Sequence, residues 1–162
     1  MKWIQAKDDA LDVMAKAVVR WPQISVWPDG EVVDISMEEM LYRCRLAVRT
    51  ALKGGGQCYV GSTSCPIWRW EGGYFYRSEA RALEPARQAE FMLGHRTAWS
   101  RMVVLGSWCD EQTKSYEVAA IAAARAVAAD LSMPKKLVNI ADDSRGFTIQ
   151  SHHYGFIYVC SS

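Results

Sequence analysis

The sequence predicts an α+β fold: a small central antiparallel sheet flanked by helices, with an extra N-terminal helix and hairpin and a C-terminal hairpin. Three observations predict it. Apolar residues recur at helical spacing near the start of the chain and again in an alanine-rich stretch after Asp110. Short apolar runs bounded by Gly and Pro lie between and beyond those stretches. No repeat or polar linker divides the chain, and 162 residues suffice for one buried core. We therefore expect a single domain over 1–162, with an embellishment over 1–53, a core over 57–146 and a closing hairpin over 147–162.

The elements follow in order. Leu11, Met14, Val18 and Trp21 place one apolar stripe on a helix from Asp8 to Trp21, which Pro22 stops. Ile24–Trp27 and Glu31–Ile35 flank Pro28-Asp29-Gly30 and read as a β-hairpin. Ser36 with Glu39 forms a capping box, so a helix starts at Met37, runs to Lys53 and ends at Gly54-Gly55-Gly56. A second reading makes Arg45–Thr50 a strand paired across those glycines. Gln57–Thr63 is a strand, and Ser78 to Ser100 reads as helical, broken before Pro85 and weakened at Gly94. Arg101–Leu105 is a buried strand. Asp110 caps a long helix from Glu111 to Leu131, ended by Ser132 and Pro134. Gly146–Gln150 and Gly155–Val159 close the chain as two strands.

Half of the residues are apolar and 23% are charged, which excludes a disordered class. Val118–Leu131 is interrupted by Arg125 and Asp130 and is too short to cross a bilayer. The acidic run Asp8, Asp9 and Asp12 does not suit a secretory signal. The five cysteines lack metal-ligand spacing, so reduced thiols in a cytoplasmic protein are expected. A net charge of +1 leaves any nucleic-acid contact to local clusters. Arg45, Arg49 and Lys53 supply one such stripe, and Arg77 with Arg81 repeat the spacing.

Four features then line up along the chain: Tyr59-Val60-Gly61-Ser62-Thr63, Arg69 shortly after it, the strand Met102–Leu105 followed by a helix carrying Glu117, and Asn139 beyond that helix. Arg69 falls on the first turns of a helix, where a guanidinium can hold a phosphate through paired donors. A surface arginine stacked between Trp68 and Trp70 is the plainer alternative. Glu117 shares a helical face with Ile121, Ala124, Ala128 and Leu131. A carboxylate heading an apolar stripe is costly unless it is paired or holds a metal.

In these residues the chain resembles the GIY-YIG nuclease family, over 57–146. The resemblance implies a divalent-metal-dependent DNA endonuclease with Tyr59, Arg69, Glu117 and Asn139 in the catalytic site and Mg²⁺, or another divalent cation, on Glu117. It implies DNA as a partner. Two family features are out of place. The first-motif tyrosine is missing just ahead of Tyr59; Tyr42 lies upstream, and Gly155-Phe156-Ile157-Tyr158 reads as a displaced first motif that would pair beside Tyr59 in a rearranged topology. No histidine follows Arg69 closely, and His95 stands farther along. These departures keep open a non-catalytic relative, encoded by a phage or mobile element, that binds nucleic acid or a host protein.

Overall fold

The computed structural model describes residues 2–72, 93–139 and 154–162. Helix α1 (Lys2–Arg20) leads to β1 (Ile24–Val26), α2 (Met37–Lys53), β2 (Cys58–Thr63) and the short α3 (Pro66–Glu71). After a 3₁₀ turn at His95–Thr97 come β3 (Arg101–Cys109), α4 (Asp110–Asp130), a second 3₁₀ turn at Pro134–Lys136 and β4 (Tyr154–Ser161). The four strands form one sheet in the order β1-β3-β4-β2. The fold is α+β.

The last strand in sequence is central. β4 runs antiparallel to β2 on one side, with Tyr59 opposite Cys160 and Gly61 opposite Tyr158, and antiparallel to β3 on the other. Its residues explain that place. Phe156, Ile157, Tyr158, Val159 and Cys160 are all buried, and an unbroken apolar run suits a strand covered on both faces. Gly146–Gln150, the expected hairpin partner, lies outside the described residues.

The pleat divides the core in two. Val60, Ile157 and Val159 face α2 and α4, whose Met40, Cys44, Val48, Ala120, Ile121 and Ala124 complete one cluster. Small residues on α4 let it approach α2 until the Cys44 thiol reaches the carbonyl of Ala120 at 3.5 Å. Phe156, Tyr158 and Cys160 face the other way, toward Ala10, Met14 and Ala17 of α1 and Trp70 of α3. A buried guanidinium ties the first layer together: Arg43 donates to Glu39, to the Leu105 carbonyl at 3.0 Å and to the Asp29 carbonyl at 3.2 Å, beneath the Trp27 ring.

Two local expectations change, and one alternative falls away. α1 begins at Lys2, and its buried stripe is Ala6, Ala10, Met14 and Ala17, so Leu11 and Val18 stay exposed. Small side chains let the helix lie close to the sheet, and that outweighs burial of the larger ones. The segments at Ile24 and Val33 do not form a hairpin. β1 runs parallel to β3, and Val33 makes a single parallel bridge to Ser107 farther along the same edge. The nine-residue β3 accepts both in one direction, and the chain loops outward between them through Gly30 at φ +90°. Arg45–Thr50 is helical, because Ser36 Oγ accepts the Glu39 amide at 3.1 Å and the helix continues unbroken to Lys53.

The cysteines are thiols, not disulfides. Among the described residues no helix is long and apolar enough to cross a membrane.

Candidate active site

β2 and β4 bring Tyr59 and Tyr158 onto the same sheet face, two residues out of register across a shared glycine. A Cβ at Gly61 would come within 2.6 Å of the Tyr158 hydroxyl and 2.7 Å of the Tyr59 ring. Only the missing side chain lets both phenols lie over this strand. Their ring centroids are 6.3 Å apart.

His95 closes the group. Its Nε2 lies 2.7 Å from the Tyr158 hydroxyl, and its ring packs against Tyr59 at 5.3 Å. Gly94 makes this approach possible: at φ +79° it lies directly on the backbone at the end of α3, against the Trp70 carbonyl, where any Cβ would collide. The histidine arrives from a 3₁₀ turn rather than from the helix that carries Arg69.

Arg69 comes from α3. Thr63 sets the entry to that helix, its hydroxyl bonding both the amide and the carbonyl of Cys65, and Pro66 supplies the first helical residue. Arg69 is only 5% exposed, which rules out the surface-arginine reading. Glu117, 4% exposed, arrives from α4 on the other side of the sheet. Ser62, on the same face of β2 as Val60, donates its hydroxyl to Glu117 Oε2 at 2.5 Å, a length typical of a charge-assisted bond.

The Tyr158 phenol is strongly perturbed. Burial pushes its phenol well above the usual tyrosine range, and Tyr59 adds to the rise; Arg69 opposes it, while Cys160 and Glu117 contribute further upward. At neutral pH that hydroxyl keeps its proton.

Asn139 acts at one remove. Its side chain accepts the Val60 amide at 2.9 Å and donates to the Val60 carbonyl at 2.7 Å, standing in for a strand partner on the outer edge of β2. It holds the backbone between Tyr59 and Gly61 and is a positioning residue.

No protein-family model, curated protein or solved structure matches the chain.

The remaining expected sites fall elsewhere. Tyr42 is 58% exposed on α2, across the sheet from the tyrosines, so Tyr158 is the phenol that accompanies Tyr59. Arg45, Arg49 and Lys53 are exposed on that same helix, in the layer opposite the Tyr–His cluster. Arg77 and Arg81 lie outside the described residues. No group of three or more His, Cys, Asp or Glu side chains able to hold a metal occurs among the described residues. A cation here would rest on the Glu117 carboxylate, with water and substrate oxygens completing its shell. That donor set suits Mg²⁺, which binds through one or two carboxylates plus phosphate. Sequence reasoning gave Ser62 no role and could not assign His95. Ser62 lies inside the quoted strand string, but only the two-layer packing reveals what it touches.

Proposed function

We propose that the chain is a GIY-YIG-type, divalent-metal-dependent DNA endonuclease of the cytoplasm, in which Tyr158 of the last strand takes the place of the first-motif tyrosine. The observation that carries this reading is the Tyr158–His95 contact at 2.7 Å, with the Tyr59 ring beside the same phenol at 6.3 Å. Two tyrosines, a histidine, a guanidinium and a carboxylate suit hydrolysis of a phosphodiester.

The roles follow from the chemistry. Because the phenol holds its proton, Tyr158 works as a relay rather than as a standing phenolate. With Nε2 of His95 unprotonated, Tyr158 passes its proton there while taking one from the attacking water. The water oxygen forms the new bond to phosphorus, and the bond to the departing sugar oxygen breaks. Arg69 neutralises charge that grows on the phosphoryl oxygens. Tyr59 orients the water beside Tyr158. A divalent cation on Glu117 would polarise the phosphate and stabilise the leaving oxygen. Ser62 and Asn139 hold Glu117 and the β2 backbone in register.

The depth of the cluster favours a second reading. Tyr158 is 1% exposed, and so enclosed a phenol suits a non-catalytic relative, phage- or mobile-element-encoded, that binds nucleic acid or a host protein.

Plasmid nicking with and without Mg²⁺ separates the two, using wild type beside Glu117→Ala. The nuclease reading expects Mg²⁺-dependent nicking that the variant loses while keeping a native circular dichroism spectrum. Equal nicking by both proteins, or none by wild type, would end it.

A further inference from the structure

Beside the tyrosines lies a cleft of about 380 Å³ that the proposed hydrolysis does not use. Three indoles line it, those of Trp21, Trp70 and Trp99, with Gln23, Arg96 and Ser100 at its polar positions. Its volume falls in the range of small-ligand sites. Two of its walls belong to the candidate active site. The Trp99 ring is 6.4 Å from that of Tyr59, and Trp70 directly follows Arg69 on α3.

The walls are fixed before any ligand arrives. The Trp21 indole N–H donates to Glu71 Oε1 at 2.7 Å, and the same carboxylate pairs with Arg20. Arg96 lies 5.8 Å over the Trp21 ring and donates to the Glu71 carbonyl at 3.3 Å. No carboxylate among the described residues pairs with Arg96. Trp70 is 2% exposed, yet its indole N–H has no hydrogen-bond partner. That N–H is sealed within the wall, out of reach of a molecule in the cleft. Aromatic faces and a stacked guanidinium together match a flat heteroaromatic ring.

We propose that this cleft receives an unpaired nucleobase of a DNA strand, whose adjoining phosphate reaches Tyr59 and Arg69. The base stacks on the Trp21 and Trp99 indoles, and Gln23 contacts the exocyclic groups. A base inside a duplex cannot enter, so the site selects single-stranded, flapped or mismatched DNA. The placement of the phosphate rests on the nuclease reading, whereas the capture of the base does not.

The test uses the full chain carrying Glu117→Ala, to prevent cleavage, and a short fluorescent single-stranded oligonucleotide. The same sequence as a blunt duplex, and a series with one abasic position moved along the strand, complete the set. Stacking on an aromatic side chain accounts for roughly 5- to 150-fold in affinity per base. Trp99→Ala and Trp21→Ala should each weaken single-strand binding within that range, and Trp99→Phe should restore most of it. One abasic position should cause a similar loss that does not add to that of Trp99→Ala. Gln23→Ala, at an exposed position, guards against misfolding of the larger truncations and should alter base preference.

A flat abasic series, or alanine variants with native circular dichroism that bind as the parent does, would overturn the proposal. Nicking of plasmid by wild type is scored alongside. Nicking without single-strand preference removes the cleft and leaves the nuclease. Tryptophan-dependent base capture by a chain that cuts nothing removes the nuclease and leaves the cleft.

Discussion

The Tyr158 hydroxyl meets His95 Nε2 at 2.7 Å across 63 residues of chain. Tyr158→Phe removes that oxygen and nothing else. The expected fall in nicking rate is about 10²- to 10⁴-fold, the usual worth of a positioned proton-transfer group. Loss of a buried hydrogen bond should also lower stability by about 1–3 kcal/mol. Single-turnover rates and denaturant midpoints check both; an undiminished rate would remove Tyr158 from the chemistry.

Gly61→Ala tests how tightly the two phenols share their strand. The new methyl would meet the Tyr158 hydroxyl and the Tyr59 ring at once. Overpacking of this kind costs about 1–3 kcal/mol, and the rings must separate to relieve it. A lowered melting temperature with a matching loss of nicking is expected. Unchanged melting would mean that the phenols are free to move aside.

Asn139→Asp keeps an acceptor for the Val60 amide but loses the donor to the Val60 carbonyl. The edge of β2 should loosen, and Asn139→Ala should loosen it further. Hydrogen exchange at Val60 reads this directly, with faster exchange expected in the order wild type, Asp, Ala. Equal protection in all three would show that the amide clip is not what holds the strand.

Alkaline pH should unfold the protein through its buried thiols. Burial pushes Cys44 up to about 12 and Cys58 up to about 11, from an ordinary 9.0. Folded pKa values above unfolded ones give stability that is complete below pH 9. It is lost as pH rises toward 11–12, because only the unfolded thiols ionise. Tyr158 adds loss of the same sign at higher pH. Denaturant midpoints from pH 8 to 11 should fall, and Cys44→Ala should flatten the slope. A slope unaffected by Cys44→Ala would assign the effect elsewhere.

What the sequence disclosed follows from how local each signal is. Ser36 and Glu39 lie one helical turn apart, and the glycines after Lys53 stop the same helix, so α2 was readable from end to end. The alanine-rich segment gave α4 to within one residue at each end, as Asp110–Asp130 rather than Glu111–Leu131. Glu117 was legible for the same reason: a carboxylate on an apolar stripe stands out wherever the helix packs. Pairing was less visible. Ile24 and Val33 carried hairpin chemistry, yet the long edge of β3 outcompeted their mutual pairing. The buried stripe of α1 was misread because the residues that pack are alanines, which carry little periodic signal.

The hardest part to read was the centre of the sheet. Gly155–Val159 was read as half of a closing hairpin, and as a strand beside Tyr59 only in the displaced-motif alternative, because it lies far in sequence from the two strands it joins. Nothing local marks Gly61 as the residue under Tyr158. His95 was invisible for a related reason: its place depends on Gly94 fitting against the end of α3, a contact that no spacing rule expresses.

The position of β4 also has a consequence for synthesis. Ribosomes deliver β2 and β3 first, and each must wait with an unsatisfied edge until the strand that joins them emerges. A chain halted before residue 154 therefore lacks both the keystone of its sheet and the phenol that His95 grips. Such a fragment is exposed to aggregation through its open strands.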